Sequence, residues 1–280
     1  MKLFLCIVFL FAIAFRSFAI DVVDGKGERF SFGKPPHAIA IAPVVTDIIF
    51  AIGAEENLLA VSAFSDTKGK SIQKVGSAYG LDWEKIISLN PDVVICSYLN
   101  DDSIAERLKK CGIKHIYLHK EGLINIPKDI RLLGGIFGKE KEANAIAMRM
   151  ENTIKTANFE NKYKALFLFG NVAAGRGSFV SDVLNVSGFE NCAEKINSPW
   201  PVLPREFIVK ENPDVIFLTT YDEQSKVSIL NTLKSDIAFS STSAVKNNRI
   251  YFVPFNDIIL PSVRVVNAIE LLRSIRRQMK

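Results

Sequence analysis

The sequence predicts an α/β protein of two lobes, each built on a parallel sheet, and three observations predict it. Short apolar runs of strand length alternate with segments of helical period along most of the chain. That alternation stops once, between residues 127 and 159, where one longer helical pattern intervenes. Finally, residues 83–95 (WEKIISLNPDVVI) match residues 205–217 (REFIVKENPDVIF) without a gap, so a short helix, an Asn-Pro turn and a strand recur in each half.

The elements follow in order. Residues 1–19 (MKLFLCIVFLFAIAFRSFA) read as a secretory signal: Lys2 precedes an apolar run, Arg16 closes it, and Ser17 and Ala19 supply the small residues a signal peptidase reads. The run is shorter than the ~20 residues that span a bilayer. Cys6 comes too early in it, with no small-residue stretch before it, to mark a lipid-anchored mature end. Cleavage after Ala19 would leave the mature protein free in the periplasm or outside the cell. DVVDGKGERFSF then alternates around Asp24-Gly25-Lys26-Gly27 as a hairpin with a glycine turn. HAIAIAP is a buried strand running into VVTDIIFAIG, a helix with an apolar face of Ile48, Ile49 and Ile52 and a stop at Gly53. LLAVSAF, PDVVICS and IKHIYL are strands; DWEKIISLN and DSIAERLKKCG are the helices between them. Strands and helices in alternation imply a parallel sheet covered on both faces.

Ala143, Ile146, Ala147, Met150 and Ile154 recur at helical spacing with no Gly or Pro after Gly138, which predicts a helix of about five turns. Alternation resumes with KALFLFGN, SDVLNVSG, PREFIVKEN and PDVIFLT. The expected division is a signal at 1–19, an αβ lobe at 20–126, an interlobe helix at 127–159 and a second αβ lobe at 160–280.

Composition excludes several classes of function. The net charge of +5 is spread without long blocks of one sign, so nothing favours nucleic acid. Beyond the signal, no run approaches the length of a membrane span. Cys96, Cys111 and Cys192 are odd in number; Cys96 ends a strand and Cys111 ends the next helix, at opposite ends of one unit, so a bridge between them is not expected. All three are read as small, partly buried apolar residues.

Candidate sites were weighed by chemistry. GNVAAGRGS, at 170–178, follows a strand, but Arg176 and Gly177 stand where a phosphate loop needs Lys and Ser or Thr, and Val180 stands where a dinucleotide fingerprint needs its third glycine. A glycine loop at a strand's carboxyl end is still where open α/β sheets place ligands. There is no Gly-x-Ser-x-Gly elbow. His115 and His119 would share one face of a strand and its exit without a third metal ligand in reach, and His37 precedes the first core strand. No catalytic set, metal site or cofactor is expected. Trp200 sits between Pro199 and Pro201, each of which fixes its own φ and extends the residue before it. The held indole is either a platform for a flat or bulky apolar ligand or a packing residue over the interlobe joint. Pro204 fits the first position of the following helix, which makes Glu206 a first-turn acid favoured by the positive helix end; Glu84 holds the matching place in the other half.

With IAPVVTDIIFAIG, LLAVSAFSD, KVGSAYGLDWEKIISLNPDVVI, GSFVSDVLNVSGFEN and PWP…PREFIVKENPDVIF in view, the chain beyond the signal resembles a class III periplasmic substrate-binding protein of ABC importers for cobalamin, ferric siderophores and haem. PWP followed by an Arg-Glu pair is similar to the pattern of its cobalamin-binding members. The resemblance implies two αβ lobes joined rigidly by one long helix, a ligand in the cleft between them, no enzymatic activity, and a monomer that delivers its ligand to a permease dimer with its ATPase. It implies ligand contacts at Pro43, Thr46, Ser65, Asp66, Tyr79, Gly170, Asn171, Trp200 and Asp257. Arg264 in PSVR matches the arginine customary before the last helix, although the Gly-Pro that precedes it in the family is absent. One exposed glutamate per lobe docks such proteins on the permease; Glu206 matches the second-lobe position, and the first-lobe position falls on Gln73, a neutral residue. The expected ligand is a corrinoid, with haem or a ferric siderophore as the alternative, for which Tyr79 or Arg176 would serve. A secreted αβ enzyme is the reading from another class.

Overall fold

The computed structural model describes residues 19–77, 80–155, 159 and 163–279. The expected signal segment lies outside the described residues apart from Ala19, as does Tyr79.

The chain opens with the antiparallel hairpin β1 (Ile20–Val23) and β2 (Arg29–Phe32). There follow β3 (Ala38–Ala40), α1 (Pro43–Ala51), β4 (Leu58–Val61), the short strands β5 (Gln73–Lys74), β6 (Gly76–Ser77) and β7 (Gly80–Leu81), α2 (Trp83–Ser88), β8 (Val93–Cys96), α3 (Asp102–Lys110) and β9 (His115–Tyr117). Two helices, α4 (Ile126–Ile136) and α5 (Glu140–Lys155), lead to the second half. It comprises β10 (Tyr163–Phe169), β11 (Val172–Ala173), α6 (Phe179–Val186), β12 (Phe189–Asn191), α7 (Arg205–Glu211), β13 (Val215–Thr219), α8 (Lys226–Ser235), α9 (Ile237–Ser240), α10 (Ser243–Lys246), β14 (Ile250–Phe252), α11 (Phe255–Ile258) and α12 (Val265–Gln278).

The first sheet has the order β5-β4-β3-β8-β9, every neighbour parallel. The second runs β10-β13-β14 in parallel, with β12 parallel to the start of β10 and β11 antiparallel to its end. In both, the strand order reverses at the first core strand, β3 or β10, which is the switch point where open α/β sheets leave a crevice.

The sequence repeat survives at the level of single bonds. The Asp92 N–H donates to the His37 carbonyl at 2.9 Å while its carboxylate accepts the His37 N–H at 2.8 Å. Asp214 does the same to Lys164, at 2.8 and 2.9 Å. Each Asp therefore pins the start of its lobe's central strand, at the residue before β3 or the second residue of β10, setting Ala38 opposite Val93 and Ala165 opposite Val215. Asn90 and Asn212 turn into these segments at φ +46° and +47°, a left-handed conformation that Asn tolerates better than most residues.

Side-chain alternation along the strands sorts the core. Ala38, Ala40, Val93 and Ile95 of the first sheet and Ala165, Phe167, Val215 and Phe217 of the second belong to one continuous buried cluster, joined through α1, α4, α5, α6 and α12. Ile39, Val94 and Cys96 face a separate cluster on the other side of the first sheet, and Leu166, Ile216 and Leu218 one on the other side of the second. The lobes thus share their main core, which makes the joint between them a packed interior rather than a linker.

The interlobe stretch differs from expectation: 127–159 holds two helices instead of one. Gly138, at φ +64°, ends α4, and a Cβ on Gly134 would lie 2.3 Å from the Ala143 Cβ, so α5 folds back against α4 where α4 has no side chain. Arg131 fixes the pair through both oxygens of Glu151, at 2.6 and 3.0 Å, and through Asn144. The helix predicted from Ala143 to Ile154 is α5. Two smaller corrections concern Pro204, which caps α7 instead of opening it, and Cys111, which is exposed. All three described cysteines are unpaired, and burial pushes the Cys96 and Cys192 thiols up to about 12. No helix among the described residues is long and apolar enough to cross a membrane.

Candidate ligand cleft

Loops leaving the carboxyl ends of the two sheets meet, and charged groups tie them together. On one side Arg264, which caps α12, places its Nε 3.2 Å from Asp47 on α1 and its Nη2 3.3 Å from Asp66 after β4. Asp47 is buried and also accepts the Ser262 hydroxyl at 2.9 Å. Asp257 lies in the same field: burial pushes its carboxyl up, against the pull of Asn267 and Arg264. On the other side Glu121 accepts the Phe179 N–H, the first of α6, at 3.1 Å, and Asp182 in the same helix accepts the Leu123 N–H at 3.1 Å. Burial, then the Glu121 charge, pushes the Tyr98 phenol well above its ordinary range.

The expected contacts fall into two groups. Pro43 is half-buried at the start of α1; Asp66, Gly170 and Asn171 are exposed; Asp257 is half-buried. Thr46 and Ser65 are both buried, with their hydroxyls 2.8 Å apart, and Ser65 continues to Ser62 at 2.9 Å. A buried hydroxyl takes a partner inside the protein, and here the partners tie α1 to the loop after β4. Lys74 completes this wall by donating to the Ser65 carbonyl at 2.6 Å. Tyr79 lies outside the described residues.

Trp200 is held as its prolines require. The carbonyls of Pro199 and Pro201 accept the N–H groups of Gly175 and Ala173 at 2.9 and 2.8 Å, and Val202 bridges Val172, so SPWPV lies as an extended edge beside β11. The indole is half-buried against the shared core. This approach also explains the glycine loop, because a Cβ on Gly175 would sit 2.2 Å from the Ser198 carbonyl oxygen. Arg176 turns to the Glu194 carbonyl at 2.9 Å. His119 bonds Asp129 through Nδ1 at 2.7 Å; burial raises that carboxyl against the histidine's pull.

Sequence reasoning missed the exposed apolar side chains that ring these loops. Phe64 after β4, Leu99 after β8, Val202 and Tyr221 after β13 are 72%, 73%, 63% and 74% exposed. Tyr221 stacks on Phe255 with ring centroids 3.7 Å apart, and Phe169 lies 5.5 Å from both. The available signal was position: Phe64, Leu99 and Tyr221 each follow a core strand within three residues.

Glu206 lies elsewhere, in the exposed first turn of α7, on an open groove of about 670 Å³ shared with Val209, Lys210 and Ile237. Arg205 grips Asp236 at 2.8 Å beneath it. Glu84 is exposed in the matching turn of α2, and Gln73 is exposed on β5.

Comparison with known proteins adds the following. A family model described as a periplasmic binding protein matches residues 39–256. A vitamin B12-binding protein of Vibrio campbellii is 28% identical over 263 residues, spanning 90% of this chain and 93% of its own. An uncharacterised ABC transporter substrate-binding lipoprotein of Bacillus subtilis is 26% identical over 273 residues, 91% of this chain and 84% of its own. The structure of the periplasmic heme-binding protein RhuT from Roseiflexus sp. RS-1 shares the fold, with a TM-score of 0.76, 21% identity, and coverage of 87% of this chain and 99% of that one.

Proposed function

This chain belongs to the periplasmic binding protein family, and from that premise we propose that it is the substrate-binding component of an ABC importer, capturing a corrinoid between its lobes. The observation that carries the reading is that Phe64, Leu99 and Tyr221, all largely exposed, stand on loops leaving the carboxyl ends of core strands in both sheets, with exposed Val202 beside β11. Exposed aromatic and apolar groups around a crevice bind by area, and a few polar groups orient the ligand. Asp66 and Asp257 at the rim suit a macrocycle fringed with amide N–H groups over one fringed with carboxylates. Capture needs no bond making, and the protein acts as a carrier. Export through residues 1–19 and action as a monomer in the periplasm complete the proposal.

Docking on the permease is assigned to Glu206, whose groove carries the exposed Ile237 and Val209 beside the charge. Gln73 offers no charge to pair in the first lobe. Haem or a ferric siderophore is the second reading. The siderophore part of it is disfavoured by Arg176, which is engaged with Glu194. Titrating cyanocobalamin, hemin and a ferric chelate into the purified protein, with tryptophan fluorescence as readout, tests the proposal. Saturable quenching by cyanocobalamin at micromolar concentration is expected; quenching by hemin or the chelate alone overturns the corrinoid assignment.

A further inference from the structure

We propose that Tyr221, seated on Phe255 and Phe169, is the second lobe's shelf on which a conjugated macrocyclic ring stacks; this rests on the cleft being the ligand site. The three rings come from three adjacent strands. Phe169 ends β10, Tyr221 follows β13 by two residues, and Phe255 opens α11 beyond β14, so the order of the sheet sets them side by side. Tyr221 and Phe255 are tilted by 36° at 3.7 Å and Phe169 closes against both at 5.5 Å, which gives one continuous aromatic face.

Tyr221 is 74% exposed while it sits on that floor, the placement of a ring that has an underside to rest on and a large area still to cover. Its turn is fixed: Thr220 Oγ1 accepts the Asp222 N–H at 3.2 Å and lies 3.0 Å from Ser225 Oγ, and Asp222 accepts the Gln224 N–H at 2.9 Å. A ring held in this way loses little freedom when a ligand arrives. The segment that carries Phe255 runs on to Ser262 and Arg264, which bond Asp47 of the first lobe, so the floor of the shelf belongs to a loop that borders that lobe. A flat π-surface of this kind selects a flat conjugated partner, and corrinoid and haem are the two sources of one.

Cyanocobalamin and hemin titrated into wild type, Tyr221→Ala and Tyr221→Phe test this. Whichever of the two binds wild type should bind Tyr221→Ala about tenfold more weakly and Tyr221→Phe as wild type does. An affinity for Tyr221→Ala within about twofold of wild type, below what one aromatic contact contributes, overturns the shelf and leaves the importer reading standing. Binding of hemin alone, weakened in Tyr221→Ala, upholds the shelf and overturns the corrinoid assignment. If neither ligand binds wild type, the shelf and the corrinoid assignment both fall.

Discussion

Gly175 shows how one residue can invite two readings of which a neighbour decides one. Within GNVAAGRGS it has phosphate-loop spacing, yet its missing side chain leaves room for the Ser198 carbonyl and for Pro201, whose Cδ would lie 2.8 Å from a Cβ there. Gly175→Ala is therefore expected to cost about 2 kcal/mol in urea unfolding, the scale of an overpacked core, and to shift the Trp200 emission as SPWPV moves away. A variant as stable as wild type with unchanged emission would show that the edge strand does not depend on this approach. Trp200 itself was legible as a held residue, since two prolines extend the chain by covalent geometry alone. That its indole rests on the shared core was one of two readings left open, since the core residues it meets come from distant segments. The burial of Thr46 and Ser65 was illegible for a related reason: only the fold sets Ser62, Ser65 and Thr46 in one chain of hydroxyls.

At the scale of elements, helices and strands were mostly readable because their signals are local. Asp82, Asp101 and Ser178 cap α2, α3 and α6 from positions beside the helices they start. The interlobe stretch was the exception, since the approach of α5 to Gly134 is a contact between helices and leaves no periodic mark. Contacts of this long-range kind also hold α1 to the start of α12. Asp47 is buried with Ser262 and Arg264, residues from the far end of the chain. Arg264→Met keeps the length of the side chain but leaves the Asp47 carboxylate without its cation, and should destabilise the protein by about 3 kcal/mol in chemical denaturation. A loss under about 1 kcal/mol, the scale of a surface pair, would mean that water takes over the arginine's part.

For the whole molecule, the two lobes share one core, so ligand capture occurs in a frame whose halves are packed together and bonded on both sides of the cleft. The proposed docking residue, Glu206, lies on α7, in a groove whose lining includes none of the proposed ligand contacts. Glu206→Arg should accordingly leave cyanocobalamin affinity unchanged while reducing delivery to permease vesicles about tenfold or more, as reversed charge at an interface does. Equal delivery by the variant would move the docking surface elsewhere, and a lost affinity would place Glu206 in the cleft. The sequence by itself determined the two-lobe plan and its repeat, including the Asn-Pro turns ahead of Asp92 and Asp214, because alternation, turn residues and caps act between neighbours. Tertiary structure alone decided the folding back of α5, the burial of Thr46 and Ser65, the bridging by Arg264 and Glu121, and the stacking of Tyr221 on Phe255. Each of these is a contact between segments far apart in the chain, and its energy depends on distances that exist only once the sheets have formed.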